Sequence, residues 1–402
     1  MLQIVKPKLK GQTMRHLNIS FYTDTYYPAI DGVVTSIREY KRALESRGHE
    51  VRLLTSGTAE TRRIAKLERN VIVTPSIKFK RYPQYSLSII PFVDVRKRWA
   101  ATADIIHIHT PFTIGLYGLL SGYINHVPVV WTFHTLVTNK DTIDQYTASN
   151  RSLRSIAKRY SWPYLKFIAK RCNVVVAPTE TVRSLLNRKG IKNTVVIPNG
   201  VDLNRFKRNR AGAASLRKRL LAGNRHMVLY VGRISKEKNI ETMVRAANLL
   251  REKRIMFVIV GEGPYSAKIR KMVESYKLEG SFTFVGSIRH GLAKYYNAAD
   301  MLCLPSTFET QGIVCIEAMA CGIPVVGADF LALKEIIKNG KNGERFKAKD
   351  FKDCANKIEK VLSRPDSYKE TEKTIKDYSI NECTDRMLKL YNELIIKNRI
   401  SQ

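Results

Sequence analysis

Two glutamates eight residues apart, Glu309 and Glu317, follow a short apolar run and suit a ligand rich in hydroxyl groups. A carboxylate accepts hydrogen bonds from paired hydroxyls. The segment that follows Glu309 predicts a helix start, where unpaired N–H groups attract anions. Its residues are Thr310, Gln311, Gly312 and Ile313. A spacing of two helical turns would place both glutamates on one side of a helix. The alternative is that Glu309 only caps the helix.

A second group of charged residues follows another apolar run, Met227–Val231. Arg233 and Lys238 are spaced so that both can reach a diphosphate, and Gly232 permits a close backbone approach. The alternative is a solvated charge cluster, because the chain has 69 Lys and Arg against 35 Asp and Glu, a net charge of +34.

The N-terminal half has two weaker candidates. Asp31-Gly32 joins the first predicted strand to the first predicted helix, and Gly32 lets backbone amides meet a phosphate. His134 follows an apolar strand, at the sheet edge where ligands bind. It can bond a sugar hydroxyl or stabilise charge near a reacting carbon, although a lone histidine is more often structural.

Several enzyme and fold classes are excluded by missing motifs. The sequence has no GxGxxG, no GxxxxGK[ST] and no HExxH, and Gly261-Glu262-Gly263 lacks the third glycine of a dinucleotide-binding loop. The histidines and cysteines show no metal-ligand spacing, so no metal site is predicted. Six cysteines without a CxxC do not make a disulfide scaffold and suit a reducing compartment.

Apolar strand candidates alternate with helical patterns such as Thr35–Arg47 and Ile240–Lys253. The first series is Leu17–Tyr22, Glu50–Leu54, Ile105–His109, Val127–Thr132, Asn173–Ala177 and Thr194–Ile197. The second is Met227–Val231, Ile255–Val260, Phe282–Val285, Met301–Leu304 and Pro324–Val326. This alternation predicts an α/β protein with two Rossmann-like, doubly wound parallel sheets. Ligands would bind in a deep cleft between them.

The strand series breaks near residues 198–226, which predicts the domain linker. We expect an N-terminal domain over 15–200, a C-terminal domain over 201–380 and a last helix over 381–402 that can cross back to the first domain. Residues 105–139 hold no charged side chain, but the apolar part, Phe112–Ile124, is too short to span a bilayer. It is expected to be a buried helix. The first twelve residues lack the apolar run of a secretory signal.

These motifs together resemble the retaining glycosyltransferases of family 4, which have the two-domain GT-B fold. Glu309 and Glu317 match the family's E-x7-E motif, and Gly232-Arg233 with Lys238 matches its diphosphate site. The loop Gly261-Glu262-Gly263-Pro264 and the interdomain segment Pro198-Asn199-Gly200-Val201-Asp202 also match. The resemblance runs from about residue 15 through nearly the whole chain.

The resemblance implies a nucleotide-sugar donor held mainly by the C-terminal domain, with no cofactor and no metal. It assigns catalytic roles to His134, Glu309, Arg233 and Lys238. The implied donor-binding residues are Gly32, Gly232, Gly261, Glu262, Gly263, Ile288, Thr310, Gln311, Gly312, Ile313 and Glu317. The implied mechanism is attack on the same face of the sugar, with the donor phosphate helping to remove the acceptor proton.

Two segments look like the diacylglycerol glucosyltransferase branch of the family: residues 26–36 and Phe308-Glu309-Thr310-Gln311-Gly312. That likeness implies transfer of a hexose, with UDP-glucose the leading donor, to a membrane lipid. Three alternatives stay open. One is hexosyl transfer, for example from GDP-mannose, to a polyprenyl-linked glycan or soluble sugar. The others are a sugar-nucleotide epimerase and a nucleic-acid-binding protein, although the sequence has no nucleic-acid-binding motif.

Positive charge is spread over both halves, with an excess of +19 in residues 1–200 and +15 in 201–402. Basic residues mixed with aromatics suit an anionic membrane surface. The candidates for membrane and acceptor contact are Lys78, Lys80, Arg81, Arg154, Lys158, Arg159 and Trp162. The alternative is a solvated helix face, and Pro163 argues against one unbroken helix there. We expect a cytoplasmic protein, peripherally bound to the inner face of the cell membrane.

Overall fold

The N-terminal half folds around a seven-stranded parallel sheet of order β3-β2-β1-β6-β7-β8-β9, with a separate antiparallel hairpin, β4-β5. The computed structural model describes residues 15–29, 31–79, 82–88, 101–134, 151–221, 226–369 and 371–400. The strands are β1 Asn18–Thr23, β2 Glu50–Ser56, β3 Val71–Thr74, β4 Ser76–Phe79, β5 Tyr82–Ser88, β6 Ile105–Ile108, β7 Val129–Thr132, β8 Val174–Ala177 and β9 Thr194–Val196. The central strands are buried on both faces, as their continuous apolar runs require.

Within the described residues, five helices accompany this sheet: α1 Gly32–Glu45, α2 Ala59–Ala65, α3 Thr113–Ile124, α4 Arg151–Arg171 and α5 Glu180–Arg188. The Asp31 side chain accepts a hydrogen bond of 2.9 Å from the backbone N–H of Val34. This cap fixes the start of α1 immediately after the β1 loop. Thr179 caps α5 in the same way.

The C-terminal half has a six-stranded parallel sheet of order β12-β11-β10-β13-β14-β15. Its strands are β10 His226–Val231, β11 Ile255–Val260, β12 Phe282–Gly286, β13 Met301–Leu304, β14 Val325–Ala328 and β15 Gly343–Phe346. Its helices are α6 Ala214–Leu220, α7 Ile240–Leu249, α8 Ser266–Ser275, α9 Leu292–Ala298, α10 Ile313–Ala320, α11 Leu333–Ile336 and α12 Phe351–Ser363. The predicted fold class, two parallel-sheet α/β domains, is confirmed.

The last helix, α13 Ile380–Ile400, returns to the N-terminal domain. Its Met387 and Tyr391 side chains are buried in the same core as Ile37 and Tyr40 of α1. The Tyr391 hydroxyl also lies 2.5 Å from His107 Nδ1 on β6. The C-terminal end of the chain therefore contributes to the core of the first domain.

Some elements differ from the sequence prediction. The predicted helix Ile240–Lys253 ends at Leu249 and is followed by a separate 3₁₀ turn, Arg251–Lys253. Strands β3, β4, β5 and β15 were not among the candidates. Three of them, such as Gly343–Phe346, carry polar residues and lack the apolar signal of a central strand, whereas β3 is apolar but only four residues long.

Two predictions about N-terminal helices are wrong. Pro163 lies inside a single helix, α4, rather than breaking it. The carbonyl that loses its partner belongs to Arg159, an exposed residue whose backbone can bond water, while Leu165 and Ile168 anchor the helix in the core. Helix α3 forms as predicted but is buried on one side only. Within the described part of the chain, no helix combines the length and apolarity needed to cross a membrane.

Candidate active site

The first turns of two helices, one from each domain, face each other across the cleft. A Cβ atom placed on Gly32, the first residue of α1, would lie 3.8 Å from Ile313 Cδ1 at the start of α10. Gly312, the residue before α10, has a φ of 81°, a left-handed conformation that glycine adopts without strain. Two positive helix ends thus converge on one space, which suits a phosphorylated ligand.

A lysine and a glutamate from two loops of the C-terminal domain pair beside this space. Lys238 Nζ lies 2.6 Å from Glu309 Oε1, and both side chains are largely buried. Because α10 begins at Ile313, Glu309 lies in the preceding loop. The prediction that both glutamates lie two turns apart on one helix is therefore wrong. Capping by Glu309 is not seen either, since no described side chain caps α10.

The second glutamate, Glu317, lies within α10 and is almost fully buried. The Tyr296 hydroxyl donates to its Oε2 atom at 2.7 Å. Burial raises the pKa of Glu317 to about 7, although the Tyr296 hydrogen bond opposes that rise. This carboxyl can bond hydroxyl groups, and its charge depends on pH near neutrality.

Arg233 is held in place by an acidic neighbour. Arg233 Nη2 lies 3.1 Å from Glu237 Oε1, which also accepts from the Ser235 hydroxyl at 2.6 Å. Burial acts to raise the pKa of Glu237, but Arg233 and Ser235 outweigh it and the net pKa is lowered. Glu237 therefore stays ionised and orients the guanidinium. In the described residues, no group of three or more His, Cys, Asp and Glu side chains is arranged to hold a metal ion.

The glycines of the Gly261–Gly263 loop have a packing role. A Cβ atom on Gly261 would lie 2.0 Å from the carbonyl oxygen of Gly232, and one on Gly263 would lie 2.3 Å from that of Ile234. The backbone N–H of Ile234 donates to the carbonyl of Glu262 at 2.9 Å. The loop therefore supports the turn that carries Arg233.

Two other candidates for donor contact lie in this domain. The Glu262 side chain is exposed. Ile288 is half-buried and packs against the core of the domain. Contacts of these two residues with a donor remain a prediction.

His134 lies at the end of β7, buried beside a second histidine. Its Nε2 atom is 3.1 Å from His109 Nδ1, and the two rings stack at 5.4 Å. Burial lowers the pKa of His134 to about 3, so the imidazole is neutral at physiological pH. Stabilisation of charge by a cationic His134 is therefore disfavoured, whereas hydrogen bonding to a hydroxyl is possible.

The loop before α10 is bonded to the N-terminal domain, a feature that the sequence analysis missed. The Thr310 hydroxyl donates to the carbonyl of His134 at 2.8 Å. Gln311 Nε2 donates to the carbonyl of Asn199 at 2.8 Å, and the Asn199 N–H donates to Gln311 Oε1 at 2.7 Å. The Thr310 and Gln311 side chains thus join the domains. The Thr310 carbonyl adds a further link, because it accepts from the Thr179 hydroxyl at 3.1 Å.

One sequence signal could have indicated that His134 has a second histidine beside it. Asn199 lies in the turn cluster after β9, and His109 follows β6 as His134 follows β7. Carboxyl ends of adjacent parallel strands meet at one sheet edge, so the two histidines were predictable neighbours.

The candidate membrane residues are only partly described. Lys158 and Arg159 are exposed on α4. Trp162 is half-buried against the core, with Lys189 Nζ 5.3 Å from its ring centroid, so it does not face outward as expected. Lys80 and Arg81, and the side chains of Lys78 and Arg154, lie outside the described residues.

Comparison with known families divides the chain into two matched parts. A family model described as Glycosyltransferase Family 4 matches residues 30–205. A model described as Glycosyl transferases group 1 matches residues 213–378. The boundary between the matches coincides with the predicted linker region.

Two curated proteins match almost the whole chain. The alpha-monoglucosyldiacylglycerol synthase of Streptococcus pneumoniae is 29% identical over 399 residues, covering 96% of this chain and 88% of that protein. The synthase of the same name from Acholeplasma laidlawii is 26% identical over 398 residues, covering 95% and 98%. Among solved structures, Anabaena Alr3699/HepE in complex with UDP-glucose has a TM-score of 0.75 at 18% identity, covering 94% and 100%. This likeness shows the shared fold.

Proposed function

Because the chain belongs to the glycosyltransferases that join a family 4 domain to a group 1 domain, we propose that it moves a glucosyl group from UDP-glucose to a membrane lipid, diacylglycerol, with retention of configuration. The enzyme class, a hexosyltransferase, follows from the family. The donor, the acceptor and the residue roles are the proposal.

The observation that carries the proposal is the pairing of Lys238 with Glu309 directly below the cleft. The same loop reaches His134 on the opposite domain through the Thr310 hydroxyl. A donor held by the C-terminal domain thus lies next to a buried, neutral histidine of the other domain. A sugar bound between these groups is shielded from water, which favours transfer over hydrolysis.

Each charged group has a defined task in the proposed site. Arg233 and Lys238 neutralise the diphosphate as the bond to the sugar breaks, and the positive end of α10 acts in the same direction. Glu309 accepts hydrogen bonds from sugar hydroxyls and keeps Lys238 in place. Glu317 binds the ribose hydroxyls through its Oε1 atom, while Tyr296 holds Oε2.

The reaction exchanges one bond at the anomeric carbon for another on the same face of the sugar. The bond from the anomeric carbon to the diphosphate oxygen breaks, and a bond to the acceptor hydroxyl oxygen forms. The acceptor proton passes to the departing diphosphate, whose charge is held by Arg233 and Lys238. His134 positions a sugar hydroxyl and remains uncharged throughout.

Relatives support the choice of donor and acceptor. Two curated relatives that match nearly the whole chain are named alpha-monoglucosyldiacylglycerol synthase. A mannosyltransferase of Corynebacterium glutamicum that is named as GDP-mannose-dependent is 24% identical over 345 residues. GDP-mannose is therefore the competing donor to test, together with a polyprenyl-linked or soluble acceptor.

The test is a transfer assay with UDP-glucose, UDP-galactose, UDP-GlcNAc and GDP-mannose, each with and without anionic vesicles that contain diacylglycerol. We expect nucleotide release and a new glycolipid with UDP-glucose only, dependent on vesicles. Lys238→Ala should abolish both signals. The matched control is Lys268→Ala, which removes an exposed lysine of the same domain that pairs with Glu241. Equal activity of Lys238→Ala and the control would contradict the site.

A further inference from the structure

Helix α3 is apolar on all sides, so large apolar side chains lie on its exposed face as well as on the face that packs against the core, unlike in an ordinary surface helix. Gly115, Gly118 and Gly122 face the sheet, where a Cβ atom would lie within 3.0 Å of Thr110, Tyr22 or Val129. The opposite face carries side chains that are 38% to 81% exposed: Phe112, Leu116, Leu120, Tyr123 and Ile124. Their spacing of three and four residues makes one continuous strip, termed here the α3 strip.

The neighbouring helix α4 extends this apolar surface and adds positive charge. Its Tyr164 hydroxyl donates to the carbonyl of Pro111, just before α3. Three further apolar side chains of α4 are 44% to 55% exposed: Ile156, Tyr160 and Phe167. The helix has seven Arg and Lys and no Asp or Glu. The Arg171 guanidinium lies 3.6 Å from the Phe167 ring centroid, so charge and aromatic surface are intermixed.

The α3 strip begins at the edge of the active-site cleft. Asp24, just after β1, accepts hydrogen bonds from the Thr113 hydroxyl at 2.7 Å and the Ile114 N–H at 2.8 Å. These bonds hold the start of α3 at the carboxyl edge of the sheet, where His109 contacts His134. From there the twelve residues of α3 extend roughly 18 Å along the domain.

We propose that the α3 strip inserts into the interfacial layer of an anionic lipid bilayer, with the basic face of α4 against the headgroups. The inference rests on the proposed function in that a lipid acceptor would enter the cleft from the same surface. The charges favour an anionic bilayer as the binding partner, because residues 105–139 carry no charge and α4 carries only positive charges. An apolar strip beside a purely basic helix is complementary to acyl chains beneath anionic headgroups.

The test compares vesicle binding of the full chain with that of Leu120→Gln/Tyr123→Gln. The matched control is Leu67→Gln/Leu249→Gln, because Leu67 is 85% and Leu249 51% exposed and neither residue belongs to the α3 strip. The vesicles are phosphatidylcholine with and without phosphatidylglycerol. We expect the strip variant to bind about tenfold more weakly than wild type at low and high salt. The control should match wild type.

A second measurement does not require a variant with weaker membrane binding. In Tyr123→Trp, the added tryptophan should shift to shorter wavelength on vesicles and be quenched by brominated acyl chains, relative to wild type. Equal binding by the strip variant and wild type would overturn the proposal. An unquenched Trp at position 123 would also overturn it. So would a wild-type dimer that becomes a monomer in the strip variant without loss of vesicle binding.

These readouts are separate from the proposed reaction. Vesicle binding and quenching need no donor sugar, so they succeed or fail whether or not a glycolipid is made. UDP affinity, measured in the absence of vesicles, should be the same in the strip variant and wild type, because the α3 strip lies outside the donor site. A loss of UDP affinity in the strip variant would contradict the placement of the α3 strip outside the donor site.

Discussion

Replacement of Glu317 by glutamine should stabilise the protein at alkaline pH while weakening donor binding. Glutamine keeps the shape of the side chain and can still accept the Tyr296 hydrogen bond. The pKa of Glu317 is raised from 4.5 to about 7. Each pKa unit corresponds to about 1.4 kcal/mol, so ionisation of this buried carboxyl opposes folding by about 3 kcal/mol.

The sign of the pH dependence follows from which state binds the proton. Between pH 4.5 and 7 the folded protein keeps the Glu317 proton that the unfolded chain has lost, so wild-type stability falls as pH rises. The glutamine variant lacks this fall in stability with pH. Its stability relative to wild type should therefore increase by about 3 kcal/mol from pH 4.5 to pH 8. For a domain of this size, that is roughly 5 to 10 °C in the thermal midpoint.

The assay is thermal unfolding across pH 4.5 to 8, paired with calorimetric titration of UDP. A neutral amide accepts a hydrogen bond more weakly than a carboxylate, so UDP should bind about tenfold more weakly to Glu317→Gln at pH 8. The control is Glu359→Gln, which changes an exposed glutamate paired with Lys253. Parallel stability curves for Glu317→Gln and wild type would refute the buried ionisation, and unchanged UDP affinity would refute ribose binding.

Four further outcomes follow from the site. Lys238→Ala should lower kcat/KM for transfer by about 100-fold or more, with an unchanged circular dichroism spectrum. Because the pKa of His134 is about 3, the pH–rate profile between pH 5 and 8 should contain no step that His134→Asn removes. Gly32→Ala should raise the donor KM without lowering the thermal midpoint, since its Cβ meets Ile313 only at an ordinary contact distance of 3.8 Å. Gln311→Ala breaks two hydrogen bonds between the domains and should lower the free energy of unfolding in urea by about 2 kcal/mol. A lower thermal midpoint in Gly32→Ala would contradict these assignments. So would an unchanged free energy of unfolding in Gln311→Ala.

The two-domain fold could be predicted because its signal is local. Continuous apolar runs such as Ile255–Val260 identify strands covered on both faces, and the turn at Pro198–Asp202 predicts the boundary. Strands with mixed polarity, such as β15, carry no comparable signal. The persistence of α4 through Pro163 also depends on packing that the sequence does not show.

The residue types of the site could be predicted, but their contacts could not. Spacing alone suggested that Glu309 and Glu317 act as a helical pair, whereas tertiary packing directs Glu309 to Lys238 and Glu317 to Tyr296. The Thr310 contact with His134 depends on how the domains meet.

The exposed face of α3 was missed for a related reason. The helix is apolar on all sides, so periodicity does not show which side faces the core. The glycines that lie on the sheet identify the buried face only once the strands are in place.

In the proposed reaction, one cleft transfers a glucosyl group from UDP-glucose to diacylglycerol. The most direct measurement quantifies UDP and glycolipid together after incubation with diacylglycerol vesicles, and determines the anomeric configuration of the product by NMR. We expect equal amounts of UDP and an α-glucosyl lipid, since the donor sugar is α-linked. A β-linked product, or UDP release with no glycolipid, would contradict it.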